Sequence, residues 1–540
     1  MSKKNKTIEY DANGHRKFGK VDKFAYAAGD FGCNMSFALK GTVQTFWLVF
    51  MYMETGVFSV LMLITQIWDA LNDPLIGSLI DNDRRKYKLG KYKTYILVGA
   101  CGLLFAGALV FIPLPDAIRM SQEKRDVIIK SIVFISAYVI WDACYTIANV
   151  PYGTMLSLVT EDKIQQAELS SWRSIGSAAG NVIGMILPAV IWKKVEFDGT
   201  TDFVDKIEIP EGFTKEQFLT NPITGKPYQL GEKVLSPATH KQVEILLGER
   251  MFWIALVMGI CGFAAFLFMI KKITIRVDEN SVKTSETVEK TNIIKAFGTF
   301  MKNRPAVGAT LAAMGMFIGM QSATVANTIM FATYFNMASL SGLVMAVGFI
   351  PAFAFMPFIK KIVAKHGKKE ASVAGTVVSL LGTEILLLFP TIPYEAELFG
   401  VKVSLLVYLL GLVIYGIGMG VYMCVNWAMM SDAIDYNEWK FGKREEGTVY
   451  AIHSFFRKLA QGVGPAAVVF VMGKYLGYEV SKGTVAQSME TTVNMCWLVA
   501  CLYGISAILQ FIGLAVIYNI DKKTLAQMQS DLAERHAKQY

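Results

Sequence analysis

The chain has 540 residues, of which 53% are hydrophobic and only 18% charged, with a mean hydropathy of +0.39, a balance that places it among membrane proteins rather than soluble enzymes. Its formal charge of +9 is concentrated in short loops, so it is a topology signal and not a sign of a nucleic-acid partner. All seven cysteines (33, 101, 144, 261, 424, 496 and 501) fall in apolar runs, which excludes a disulfide framework and a CxxC metal pair and leaves them as small core residues.

The polar segment 1–23 has no apolar stretch ahead of a small-residue cleavage site, so no signal peptide is expected and a cytoplasmic tail is. Apolar runs of about 20 residues, enough to cross a bilayer core of about 30 Å, then recur to the C-terminus. Twelve are expected, near 24–52, 57–81, 93–113, 130–158, 169–192, 251–270, 306–334, 338–364, 371–391, 401–432, 449–475 and 492–519. Basic residues crowd the loops after even-numbered spans: "RRKYKLGKYK" (84–93), "KKIVAKHGKK" (360–369) and "KFGKR" (440–444). By the positive-inside rule those loops and both termini are cytoplasmic. The charged stretch 271–305 divides the spans into six-helix halves, 24–270 and 306–519, before a tail at 520–540. The loops after spans 2 and 8 both end in Gly followed by Lys, a weak internal repeat. Repeated halves of this kind are the pattern of the all-α major facilitator fold, whose substrate site lies between the halves near the bilayer midplane. The long polar insertion 193–250 faces outside by parity and reads as a solvated loop or small cap.

Charges inside these runs need a reason, since a carboxylate at the centre of a membrane helix costs about 3 kcal/mol even on lenient scales. "QIWDALNDP" puts Asp69 and Asp73 on one helix face with Asn72 beside it, and Pro74 leaves the Ala70 carbonyl without its helical donor. Such hard oxygen ligands suit a small cation or a shared proton. In "YTIANVPYG", Tyr145, Thr146 and Asn149 offer hydroxyl and amide groups, and Pro151 with Gly153 is expected to interrupt the fourth span. Thr146 would complete the cation shell. Asp30, Arg173, Arg457 and Lys458 are further intramembrane charges, with acceptors and donors suited to sugar hydroxyls or halves of structural ion pairs. Lys458 would balance Asp69 and Asp73 when the cation leaves. Lys40 is expected to snorkel to the near end of its span.

"IWDALNDPLIG", "YTIANVPYG" and "SDAIDYNEWKFGKREEG" (431–447) together resemble the glycoside–pentoside–hexuronide:cation symporters, the melibiose permease group. The resemblance covers nearly the whole chain outside 193–250. It implies a Na⁺, Li⁺ or H⁺ site at Asp69, Asn72, Asp73 and Thr146, and sugar contacts at Asp30, Tyr145, Asn149, Arg173, Ser454 and Lys458. It also implies a charged gate that joins Asp432, Asp435, Tyr436, Glu438, Arg444 and Glu445 to the helix 2–3 loop, where Asp81 and Arg84 stand. Melibiose permease has an acid at the position of Asn149 and a Trp at that of Gly153, so melibiose itself is not the expected substrate. The expected protein is a cell-membrane symporter, not an enzyme. It needs no cofactor beyond its coupling ion, and its partners are a sugar or glycoside, that cation and the bilayer. Whether the sugar is an acidic hexuronide or a neutral pentoside or β-glycoside stays open at this level. The rivals are a lysolipid:cation symporter of the same fold, a multidrug exporter, and an intramembrane aspartyl protease, against which both acids sharing one helix argues.

Overall fold

The computed structural model describes residues 16–160, 162–196, 242–277, 293–442, 446–484 and 487–539. Inside a bilayer no water satisfies backbone N–H and C=O groups, so apolar runs of this length close their hydrogen bonds within helices. Helix α1 spans Lys20–Thr45 and widens into a π turn at Phe46–Phe50. Then follow α2 (Thr55–Asn82), α3 (Lys91–Leu109), α4 (Lys124–Val159), α5 (Lys163–Ile191) and α6 (Gly248–Lys272). After a short helix at Ile293–Lys302, α7 runs from Arg304–Phe317 through a π turn at Ile318–Ser322 into Ala323–Thr333. The remaining rods are α8 (Ser341–His366), α9 (Lys368–Leu388), α10 (Val403–Phe441), α11 (Glu446–Lys474), α12 (Met489–Phe511, with a π turn at Ile512–Ile517) and a terminal α13 (Lys522–Gln539). Each expected span coincides with one of α1–α12.

Among the described residues nine helices are long and apolar enough to cross a membrane, α3–α7 and α9–α12. Helices α1, α2 and α8 match them in length at 26, 28 and 26 residues. Large apolar side chains stay exposed along the rods, as on α2, where Leu79 is 70% exposed. Lipid-facing helices require this, and the chain is a multi-pass membrane protein.

Packing groups the chain into two units: residues 1–53, 67–187 and 246–289 in the first, and 54–66, 188–245 and 290–540 in the second. This differs from a cut at the central linker, because the first turns of α2 pack with the second unit. There, Gly462 and Gly473 of α11 leave no room for a Cβ against Gln66 and Thr55. The base of the insertion also belongs to the second unit and is not a bare loop. Strands β1 (Trp192–Glu196) and β2 (Gln242–Leu246) pair, and buried Glu244 accepts from the Ser339 backbone N–H and hydroxyl at 2.6 Å each. Residues 197–241 lie outside the described residues.

In the first unit, Gly176, Gly180 and Gly184 recur every fourth residue on α5, where a Cβ would strike Ala27, Asn34 and Ala38 of α1. A stripe of small residues lets two backbones close up where no hydrophobic effect drives helices together. That approach carries Arg173, less than a turn before Gly176, to Asp30. The expected break in α4 does not occur, for the helix is continuous through Pro151 to Val159. Proline removes one hydrogen bond, and neighbouring packing holds the turn: buried Tyr152 donates to the Tyr26 carbonyl at 2.9 Å and stacks on its ring.

The two repeat turns also match in backbone. Gly90 before α3 and Gly367 before α9 have φ of +85° and +109°, values that favour glycine and explain why both loops carry one at that point.

Where α1 begins, buried Asp22 accepts from Arg16 Nη2 (2.6 Å), Arg276 Nη2 (2.9 Å) and the backbone N–H groups of Gly19 and Thr274 (3.2 Å each). Arg276 also donates to the Val159 carbonyl at the end of α4 (3.1 Å), so one ion pair ties the ends of α1, α4 and α6. Arg276→Ala leaves Asp22 paired with Arg16 but removes its second cation and the bond to the Val159 carbonyl, so it is expected to cost about 2–3 kcal/mol. Thermal unfolding of the purified variant checks this; a loss below about 1 kcal/mol, typical of an exposed pair, would contradict it.

Candidate functional site

A cavity of about 320 Å³ opens in the first unit, lined by Asp30, Asn34 and Phe37 of α1, Tyr145 and Asn149 of α4, and Arg173 and Ser177 of α5, among others. Asp30, Asn34 and Phe37 share one helical face, as do Tyr145 and Asn149. Asp30 is buried, and its oxygens are committed. Oδ1 accepts from Arg173 Nε at 2.9 Å, while Oδ2 accepts from Asn34 Nδ2 at 3.0 Å. Arg173 remains 44% exposed, and its guanidinium lies 5.3 Å from the Tyr152 ring centroid. Among the described residues no hydrogen bond engages its Nη1 or Nη2, which leaves a paired donor at the cavity wall. Among the described residues Asn149 Oδ1 meets only the weak Cys33 thiol donor, at 3.7 Å. Among the described residues, a Cβ added at Gly153 would meet no atom within 4 Å, so the space there is open. Of the expected sugar contacts, the cavity therefore gathers Asp30, Tyr145, Asn149 and Arg173. Ser454 and Lys458 lie on α11, in the second unit.

The four expected cation residues belong to a second polar group of the first unit, three of them on α2 and Thr146 on α4. Asn72 Nδ2 donates to Thr146 Oγ1 at 2.9 Å, and that hydroxyl donates to Asp73 Oδ1 at 3.0 Å. Asn72 and Thr146 are each 1% exposed. Two further residues belong here that sequence reasoning missed or misread. Asn72 Nδ2 also donates to Asp142 Oδ2 at 3.1 Å; Asp142 sits four residues before Thr146, the same spacing as Asp69 and Asp73, and that was the available signal. Lys40 does not snorkel. Its Nζ lies 3.1 Å from Asp69 Oδ2, because a carboxylate close by offers an ammonium more than a reach along the helix to the interface does.

Among the described residues no three His, Cys, Asp or Glu side chains converge as a metal-ligand set. The expected ion ligands are the two carboxylates Asp69 and Asp73 with the amide of Asn72 and the hydroxyl of Thr146, hard oxygen donors of the kind a small cation takes.

The expected gate is only partly described. Arg444 and Glu445, and the side chain of Asp81, lie outside the described residues. Asp432 is buried, and both its oxygens accept from Lys368 Nζ, at 2.7 and 2.6 Å, at the α8–α9 turn of its own unit. Lys368 follows Gly367 directly, and the turn aims it at α10. Asp435, Tyr436 and Glu438 continue α10 beyond it. In the helix 2–3 loop Arg84 is exposed, and the organising residue is Asp83. It accepts from Tyr87 (2.5 Å), Tyr95 (2.6 Å) and the Arg85 N–H (2.9 Å). The Tyr87 and Tyr95 hydroxyls and that N–H hold its carboxyl down at about 2, so it stays ionised at any physiological pH.

Comparison with known proteins gives one consistent likeness. The family described as MFS/sugar transport protein matches residues 25–522. The symporter YjmB of Bacillus subtilis (strain 168), whose function is uncharacterized, is 24% identical over 539 residues, covering 98% of each chain. A glucuronide carrier protein homolog of Escherichia coli (strain K12) is 25% identical over 523 residues, covering 94% of this chain and 97% of its own. Among solved structures, a bacterial homologue of the iron transporter ferroportin in its inward-facing state aligns with a TM-score of 0.56 at 13% identity, over 92% of this chain and 98% of that one, a likeness of fold alone.

Proposed function

The chain belongs to the MFS/sugar transport protein family and is a membrane transporter rather than an enzyme, and from that premise we propose that it is a cation-coupled symporter that imports a sugar or glycoside across the cell membrane by alternating access. One observation carries the reading: helices α1 and α4 each serve both polar groups. Helix α1 lines the cavity with Asp30 and Asn34 and reaches the acid cluster with Lys40; α4 lines it with Tyr145 and Asn149 and reaches the cluster with Thr146 and Asp142. A ligand that shifts either helix must therefore alter the other group, which is the physical requirement for coupling. The names of relatives, a symporter and a glucuronide carrier, support it.

The substrate class we favour is a hexuronide. Asp30 is already neutralised by Arg173, and the remaining guanidinium donors suit a carboxylate in a bidentate pair better than a lone hydroxyl. Both termini are proposed to be cytoplasmic, by the placement of the basic loops. Uptake into proteoliposomes under an imposed Na⁺ or proton gradient, with a panel of hexuronides, pentosides, β-glycosides and a lysolipid, tests the proposal. A hexuronide is expected to compete more strongly than its uncharged hexose counterpart. Better competition by the uncharged sugar would reject the acidic substrate, and lysolipid uptake without sugar uptake would reject the sugar reading.

A further inference from the structure

Lys40 stands within the acid cluster yet has no part in the proposed ligand set. Its ammonium is 3.1 Å from Asp69, 5.8 Å from the Tyr138 ring centroid and 6.0 Å from that of Phe37. Tyr138 and Asp142 are one turn apart on α4, and Asp142, which accepts from Asn72 at 3.1 Å, is a second carboxylate of the same cluster. Asp142 is buried, so the cluster holds acids on two helices around Lys40's partner, Asp69 on α2 and Asp142 on α4.

We propose that Lys40 is a tethered cation that competes with the coupling ion for Asp69 and so sets how tightly the site takes Na⁺. The inference rests on the cation-coupling reading above. An ammonium and a metal ion at one carboxylate answer the same charge, and two positive charges a few ångströms apart repel far more strongly in a part-buried site than in water. Entry of Na⁺ at Asp69 therefore requires the ammonium to leave. Its four-carbon stem is flexible, and Asp142 is the anchor that receives it. Lys40 thus lowers Na⁺ affinity by occupying a ligand, while the second anchor keeps the displaced charge from standing uncompensated.

The test uses the purified full chain and reads Na⁺ binding directly, by calorimetry and by the Na⁺ dependence of intrinsic tryptophan fluorescence, so it does not depend on transport. Lys40→Met removes the charge and keeps the stem. It is expected to lower the Na⁺ concentration for half-saturation by about tenfold or more, whereas Lys40→Arg, which keeps a charge, should stay within about threefold of the parent. If Met packs poorly at this position, Lys40→Gln, with a neutral polar tip for Asp69, is expected to shift the half-saturation in the same direction. Unchanged or weaker Na⁺ binding in both neutral variants overturns the competition. Sugar uptake driven by a proton gradient, with no Na⁺ binding even in the neutral variants, overturns the competition and leaves cation coupling standing. Sugar uptake indifferent to both gradients overturns both.

Discussion

Arg173→Ala is expected to weaken sugar binding by about a hundredfold or more, which corresponds to about 3 kcal/mol, while Na⁺ binding at the acid cluster persists. The magnitude follows from what the side chain is free to do. Its Nε is held by Asp30 at 2.9 Å, and Asn34 fixes the other carboxylate oxygen, so the guanidinium plane is oriented before a ligand arrives. The two Nη groups can then donate together, and hydrogen bonds to or from charged groups contribute about 1.5–3 kcal/mol each. Truncation also strands the buried Asp30 carboxylate beside the ligand. Arg173→Lys keeps the charge and loses the fork, and is expected to recover only part of the affinity. If Asp30 acts by positioning Arg173, then Asp30→Ala combined with Arg173→Ala should be no worse than the more damaging single change, a non-additivity expected of residues acting as one unit. Equilibrium binding of a labelled glycoside measures all four variants. Affinity within about threefold of the parent in Arg173→Ala, less than one hydrogen bond to a charged group contributes, would show that the pair is only structural.

The second large effect is expected at Asp73. Asp73→Cys should abolish cation stimulation of uptake while leaving part of the sugar binding. Its Oδ1 is the acceptor for Thr146, and Thr146 stands next to Tyr145 on the helix that lines the cavity, so this is a short route between the two polar groups. Coupling of two ligands is reciprocal in binding free energy and typically amounts to about 1–3 kcal/mol. Loss of the carboxylate should remove that term from both sides: Na⁺ or H⁺ would no longer tighten the sugar, and the sugar would no longer tighten the ion. The check is sugar affinity with and without the cation, in the parent and the variant. Retained stimulation in Asp73→Cys would remove Asp73 from the ion site and leave Asp69 as the remaining acid to test.

The sequence by itself determined the twelve rods, because a bilayer offers backbone groups no partner and an apolar run of the right length has one state available. It also determined that Asp69 and Asp73 share a face, with Asp30, Asn34 and Phe37 in register on α1, since the period of the helix alone decides which residues stand together. The glycines of the two repeat turns were legible for the same reason, as local backbone geometry demands them. Partners across helices were not legible. That Lys40 meets Asp69 instead of the interface, that Asp142 joins Asn72, that Asp30 is spent on Arg173, and that Asp432 takes Lys368 all depend on which rods lie side by side. The continuity of α4 through Pro151 depends on it too, because the Tyr152–Tyr26 contact that braces the turn comes from another helix. Charge pairing acts through space over a few ångströms, and residues up to 143 positions apart, as Asp30 and Arg173 are, carry no local mark of one another; only the packed structure brings them within that range.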